Sequence, residues 1–288
     1  MKKKLALSLL LQLCWLTAAC RSGPDTLPDG PVVTPLAESP RVDNEVTDGQ
    51  SVNMVFVPAG EFSMGSETGD VDERPVHPVY LDAFYIDMYE VTNAHYRLCV
   101  DAGTCLPPVN DGSSTRENYY NNPAFDDFPV MYVSWEMAQT YCAWRGAELP
   151  TEAQWEKSAR GTDGRTYPWG EGIDCQRANY YHKEGIDFTA CVGDTTRAGS
   201  YESGQSPYGA YDMTGNVWEW VADWYGASYY RESPLNNAPG PESGNARVVR
   251  GGAWQFSDYS VRASRRYWFN PTNALENVGF RCARELEN

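Results

Sequence analysis

Sulfur and imidazole are the side chains of this 288-residue chain best suited to redox, nucleophilic or metal chemistry. Three histidines stand at positions 77, 95 and 182, too few and too scattered for a His-rich metal cluster. Eight cysteines stand at positions 14, 20, 99, 105, 142, 175, 191 and 282. A thiolate is both a nucleophile and a soft metal ligand, whereas cysteines in an oxidising compartment pair as disulfides. Which applies here depends on where the chain resides. A third concentration of chemistry runs from Trp254 to Phe269, where aromatic rings alternate with guanidinium groups. Such mixtures are enriched at binding hot spots, because rings supply large desolvated contacts and Arg supplies directional donors. The segment predicts a groove for a peptide or another acidic extracytoplasmic ligand, lined by Trp254, Phe256, Tyr259, Arg262, Arg265 and Arg266. A plain core role for Tyr267-Trp268-Phe269 stays open beside it.

The leader decides the compartment. Lys2, Lys3 and Lys4 form a basic start, Leu5 to Leu16 an apolar stretch, and Ala18-Ala19 a small-residue cleavage site, so residues 1–19 read as a signal peptide. The stretch is short and broken by Gln12, which argues against a membrane span. Cleavage before Cys20 resembles the lipobox of bacterial lipoproteins, with Thr17 where Leu is usual, and implies an acylated Cys20. An ordinary secretory signal with an incidental Cys20 is the alternative. The expected location is the cell envelope, on its periplasmic face or the cell surface, with membrane contact through the lipid alone. Secretion is the other outcome. Six cysteines then remain, and an even number favours three disulfides over a zinc site. Six cysteines allow fifteen pairings. Proximity suggests Cys99–Cys105 and Cys175–Cys191, which leaves Cys142–Cys282. A net charge of −16 excludes a nucleic-acid or anionic-lipid footprint. With 42% hydrophobic and 13% aromatic residues the chain can build a core.

The elements that must position these groups come next. Residues 20–50 are rich in Pro and acids and carry no aromatic side chain, a composition of a disordered tether able to reach up to about 90 Å when extended. Residues 51–286 read as one globular domain without internal repeats. Thr92 caps a helix through Val100, and Ser134 caps Trp135–Arg145, which stops at Gly146. Thr151-Glu152-Ala153-Gln154 is a capping box that opens a helix ending at Gly161. From Val217 to Trp224 the Trp residues fall on alternate positions, as in a strand that buries one face, and Val278, Phe280 and Cys282 alternate likewise. Few helices among irregular strands give an α+β class.

Four stretches in this order resemble the formylglycine-generating enzyme (sulfatase-modifying factor) family. They are Met54-Val55-Phe56-Val57-Pro58-Ala59-Gly60-Glu61-Phe62-Ser63-Met64-Gly65, Leu149-Pro150-Thr151-Glu152-Ala153-Gln154-Trp155-Glu156, Gly215-Asn216-Val217-Trp218-Glu219-Trp220, and Arg250-Gly251-Gly252-Ala253-Trp254 followed by Gly279-Phe280-Arg281-Cys282. The resemblance covers the whole body. It implies a C-type-lectin-like fold with few regular elements, stapled by disulfides, and it supports the Cys142–Cys282 bridge. It also implies structural calcium. One set would be Asp212 and Glu219 with backbone oxygens of Gly215 and Val217. A second would be Asn179 and Asp194 with backbone oxygens of Tyr180 and Thr196. Hard oxygen donors of this mixed type suit calcium.

The family's enzymes oxidise a sulfatase cysteine to formylglycine with a cysteine pair and copper, placed a few residues after Gly-Gly-Ser. Here Gly251-Gly252 is followed by Ala253, Phe256 stands where the first of those cysteines would be, and the segment to Arg262 holds no sulfur. Neither Ala nor Phe coordinates copper. No copper and no catalytic residue are therefore expected. A second branch of the family uses three clustered histidines and iron, a spacing that His77, His95 and His182 lack. The reading is a non-catalytic lipoprotein domain that binds a peptide or protein. The alternatives are an oxidoreductase that keeps the family's chemistry, and a carbohydrate-binding lectin-like module.

Overall fold

The computed structural model describes residues 44–184 and 187–286. The leader, Cys20 and most of the expected tether lie outside them. Among the described residues the strands are β1 (Glu45–Thr47), β2 (Asn53–Val57), β3 (Gly60–Met64), β4 (His77–Leu81), β5 (Phe84–Asp87), β6 (Tyr181–Glu184), β7 (Asp187–Ala190), β8 (Trp218–Trp224), β9 (Arg247–Arg250), β10 (Tyr267–Phe269), β11 (Val278–Phe280) and β12 (Ala283–Glu285). The helices are α1 (Asn93–Asp101), α2 (Trp135–Trp144) and α3 (Glu152–Arg160), with several single 3₁₀ turns. One sheet is antiparallel in the order β1-β2-β5-β12. A second runs β10-β9-β8-β11, with β11 parallel to β8 and the other pairs antiparallel. The class is α+β.

The helices start where their caps dictate. Thr92 Oγ1 accepts from His95 N, Ser134 Oγ from Met137 N, and Thr151 Oγ1 from Gln154 N. At Thr151 the box is complete, since Gln154 Oε1 accepts from Thr151 N in return. Gly161 ends α3 with a positive φ of 67°.

Two expectations are corrected. The ordered body begins before residue 51, because Glu45–Thr47 pairs onto β2 through a turn in which Asp48 accepts from Gln50 N and Val52 N. Asp48 also receives two hydrogen bonds from Arg145, which anchors the segment. And β8 does not bury one face only: Trp218, Glu219, Trp220 and Val221 are all fully buried. The reason is cover on both sides. Trp155 of α3 donates to Glu219 on one face, and Trp220 donates to Val133 O on the other.

The three disulfides are Cys99–Cys105, Cys175–Cys191 and Cys142–Cys282. The last ties α2 to the segment between β11 and β12 inside a core of Tyr96, Tyr141, Trp218, Trp220, Val278 and Phe280. A second core lies between α3 and strands β2 to β5 and is built on Trp155, Val55, Val57, Phe62, Phe84 and Ile86.

Candidate functional site

The loop after β9 holds the place where a reactive thiol would sit. Gly251 and Gly252 adopt φ of 91° and 79°, and a Cβ on Gly252 would meet Val261 Cγ1 at 2.4 Å. That close approach demands glycine. Ala253 is buried, and Trp254 N donates to Asn216 O at 2.9 Å, which ties the loop to the Gly215–Asn216 turn. Phe256 is half-buried, with its ring edge-on to Trp218 at 5.4 Å and tilted against Tyr267 at 6.5 Å. Hydrocarbon and indole surround this position. Every cysteine among the described residues is disulfide-bonded.

The histidines sit on three separate elements. His77 on β4 lies against Tyr230, with ring centroids 4.7 Å apart. His95 on α1 shares a hydrogen bond with Thr92 Oγ1, and burial, aided by the Arg145 charge, holds its pKa below the ordinary value. His182 on β6 bonds to Tyr180 Oη. Among the described residues no group of three or more His, Cys, Asp or Glu side chains is placed to hold a metal ion.

The arginines expected to face a ligand are corrected by the structure. Arg266 is 1% exposed and clamps both carboxylate oxygens of Glu152 at 2.7 and 2.9 Å. Arg262 is buried and clamps both oxygens of Glu73 at 2.9 and 2.7 Å. Arg265 pairs with Asp70. The cause lies in α3, which turns Glu152 and Glu156, one helical turn apart, into the interior. A buried carboxylate needs a guanidinium partner, and Arg250 bonds Glu152 at 2.9 Å and Glu156 at 2.6 Å, with Arg160 on Glu156 at 2.8 Å. Burial alone would raise the Glu156 pKa, but Arg250 and Arg160 outweigh it and hold the carboxyl below its usual range. Glu73, Glu152 and Glu156 were missed as organisers of the site. The spacing of Glu152 and Glu156 on a capped helix was the available signal.

Trp254 is also buried; of the six expected groove residues Arg265 and the buried Arg266 line a surface cleft, and Tyr259, itself exposed, adjoins it through its hydrogen bond to Asp70. That cleft, about 380 Å³, is lined by Asp70, Val71, Asp72, Tyr225, Arg265, Tyr267 and Trp268 among others. Trp268 and Val71 are 48% and 71% exposed, which gives the cleft an apolar lip.

The two calcium sets lie side by side. Gly215, at φ 80°, bridges to Asn179, and a Cβ there would meet Asn179 O at 2.2 Å. Asp212 accepts from Gly199 N at 2.6 Å. Glu219 receives Arg281 on both oxygens and Trp155 Nε1 on one, which uses three of its roughly four acceptor directions. Glu90, Asp212 and Glu219 are all buried and share one guanidinium, Arg281. Burial, with Asp212 and Glu219 nearby, pushes Glu90 well up, and burial, with Glu219 nearby, pushes Asp212 up to about 6. The three carboxylates offer a hard cation oxygen donors but are not placed to close on one ion together. In the second set Asn179 Oδ1 is buried without a hydrogen-bond partner, an orphaned oxygen of the kind calcium takes up. Asp194 there is held by Ser113, Thr115 and Thr195, which outweigh burial and keep its pKa low. Asn216 joins the sets, since its Oδ1 accepts from Thr196 N while its Nδ2 donates to Glu90. Glu90 lies outside both sets as read from the sequence.

Comparison with known proteins places these features. A family model described as the sulfatase-modifying factor enzyme 1-like domain matches residues 40–286. The chain is 36% identical to serine/threonine-protein kinase pkn1 of Chlamydia caviae over 81% of this chain, and spans 38% of that relative's length. It is 31% identical to the inactive C-alpha-formylglycine-generating enzyme 2 of Bos taurus, over 83% of this chain and 90% of that one. Among solved structures, PvdO from Pseudomonas aeruginosa matches with a TM-score of 0.70 at 27% identity, over 84% of this chain and 98% of that one.

Proposed function

We propose, from the premise that the chain belongs to the family of sulfatase-modifying factor enzyme 1-like domains and has its C-type-lectin-like fold, that it is a non-catalytic module that binds a peptide or protein outside the cytoplasm. One observation carries the reading. All six cysteines from Cys99 to Cys282 are bonded in pairs, and Phe256 packs on Trp218 where the family's chemistry calls for a thiolate. Copper oxidation needs soft thiolate donors, and a disulfide sulfur is not one. The relative from Bos taurus that matches over most of its length carries the word inactive in its name, which supports the same direction.

The binding face in this reading is the cleft between Val71 and Trp268, lined by Tyr225, Arg265 and Tyr267. Exposed aromatics beside an Arg suit a protein partner. Calcium at the Asp212 and Asn179 sets would brace the loops behind Phe256. The lipid on Cys20 and the Pro-rich tether would hold the module at a membrane.

The test is turnover. Mature protein loaded with copper is incubated in air with a sulfatase-motif peptide, and mass spectrometry follows conversion of its cysteine to formylglycine. The expected result is no product above peptide alone; sustained product overturns the reading.

A further inference from the structure

A second cleft, about 990 Å³, shares no lining residue with the face just described. It lies between α2, the start of α3, β12 and Ala222 of β8. Trp135 and Trp144 line it together with Gln139, Glu148, Glu285 and Thr104. That volume is at the upper end for small-molecule sites, a size for a ligand of several rings.

We propose that this cleft is a binding site for a neutral oligosaccharide, with Trp135 and Trp144 as stacking platforms and Gln139, Glu148 and Glu285 as hydroxyl-binding groups.

Trp135 is built as a rigid platform. Its Nε1 donates to Val221 O at 2.8 Å, so its one polar atom is already used. The Arg247 guanidinium lies 3.7 Å from its ring centroid and 3.6 Å from that of Trp224, which clamps the indole in a stack. An immobilised ring offers contact area with little ordering entropy left to lose. Trp144 is half-buried and packs against Tyr141 at 5.8 Å.

The rim side chains are uncommitted. Gln139, Glu148 and Glu285 are exposed, and their side chains form no hydrogen bond or ion pair among the described residues. Planar amide and carboxylate groups can each bind two neighbouring hydroxyls.

Other ligand classes fit less well. An extended peptide would add to a free strand edge, but β12 pairs with β5 on one side and exchanges hydrogen bonds with Glu148 on the other. An anionic ligand would face two carboxylates, and the cation that lines the cleft, Arg284, lies over the Tyr85 ring. A neutral polyol suits both the aromatic floor and the polar rim.

The test uses isothermal titration calorimetry of the full mature chain with cellohexaose, chitohexaose and, as a cationic control, hexalysine. The expected result is binding of at least one of the two saccharides, weakened about tenfold or more by Trp144→Ala and by Gln139→Ala. Unchanged melting temperature and circular dichroism show that both variants are folded. Trp135→Ala is avoided because it would also release Arg247. No heat with either saccharide up to about 10 mM, affinity indifferent to both variants, or binding of hexalysine alone would each overturn the proposal.

Discussion

Replacing Arg266 by Met tests whether the arginines after Gly252 hold the fold together or wait for a ligand. Arg266 gives Glu152 two charged hydrogen bonds, donates to Asp72 O and Gly226 O at 2.9 and 3.1 Å, and stacks its guanidinium 4.2 Å from the Tyr230 centroid. Removing one member of a buried pair costs roughly 3–5 kcal/mol, because the other charge stays behind. The lower end applies here, since Arg250 still holds Glu152 Oε1 at 2.9 Å and Met keeps the aliphatic volume. The expected loss is about 3 kcal/mol, or roughly 6–12 °C in melting temperature for a domain of this size. The assay is urea unfolding at neutral pH with the disulfides intact, followed by tryptophan fluorescence. Adding Glu152→Gln to Arg266→Met removes the stranded charge and should recover about half of the loss. Arg265→Met, whose partner Asp70 is 40% exposed, should cost under about 1 kcal/mol. If Arg266→Met stays within about 1 kcal/mol of the parent, or the double variant is no better than the single, the buried-network account fails.

Three further outcomes follow from the same structure. The Cys142→Ala/Cys282→Ala variant opens a loop of 140 residues, so unfolding should become easier by about 5 kcal/mol on the loop-closure model; a loss below about 1 kcal/mol contradicts that. Calcium added to chelated protein should raise the melting temperature, by an amount equivalent to about 2.7 kcal/mol at a hundredfold excess over Kd, with a smaller rise in Asp212→Asn; an unchanged melting curve rules out both calcium sets. Burial first, and Glu152 second, push the Asp223 carboxyl up to about 7 from an ordinary value of 3.8. The folded state therefore binds the extra proton between those values, and this group's contribution to stability is present below about 4 and lost as pH rises through about 7. Asp223→Asn should lose less stability than the parent over that window, and parallel pH curves for the two proteins would show that Asp223 does not titrate there.

What the sequence reveals is local, and what it hides is distant. The capping box at Thr151 and the caps at Thr92 and Ser134 are decided within four residues, and each helix starts where its cap stands. The pairing of Cys142 with Cys282, 140 residues apart, carries no local signal; it is reached only as the pair that proximity leaves over, with support from the family resemblance. Glu45–Thr47 carries no strand signal of its own among polar neighbours; it is a strand because β2 offers it an edge. The guanidinium of Arg262 meets Glu73 across 189 positions, and Arg266 meets Glu152 across 114. An Arg-rich segment in an acidic chain therefore looks like a ligand site until its carboxylate partners are located. Glu90 escapes for the same reason, since its partner Asn216 lies 126 positions away.

The site of the missing thiolate is filled rather than vacated, and that distinction bears on function. A cysteine at position 256 would be much smaller than the phenyl ring now edge-on to Trp218 and beside Tyr267. Truncating an aromatic in a packed cluster costs roughly 3–5 kcal/mol when fully buried, and less for a half-buried ring such as Phe256. A thiol placed there would still lack a second one, because the rest of the loop to Arg262 is held by Gly252 against Val261 and by Arg262 on Glu73. On the proposed non-catalytic reading, a thiol pair would need a second cysteine and a reshaped loop besides the substitution at 256. Phe256 packs on Tyr267, which stacks on Trp268, so the proposed binding face would rest on a packed aromatic floor, and a pre-ordered surface loses less entropy on binding.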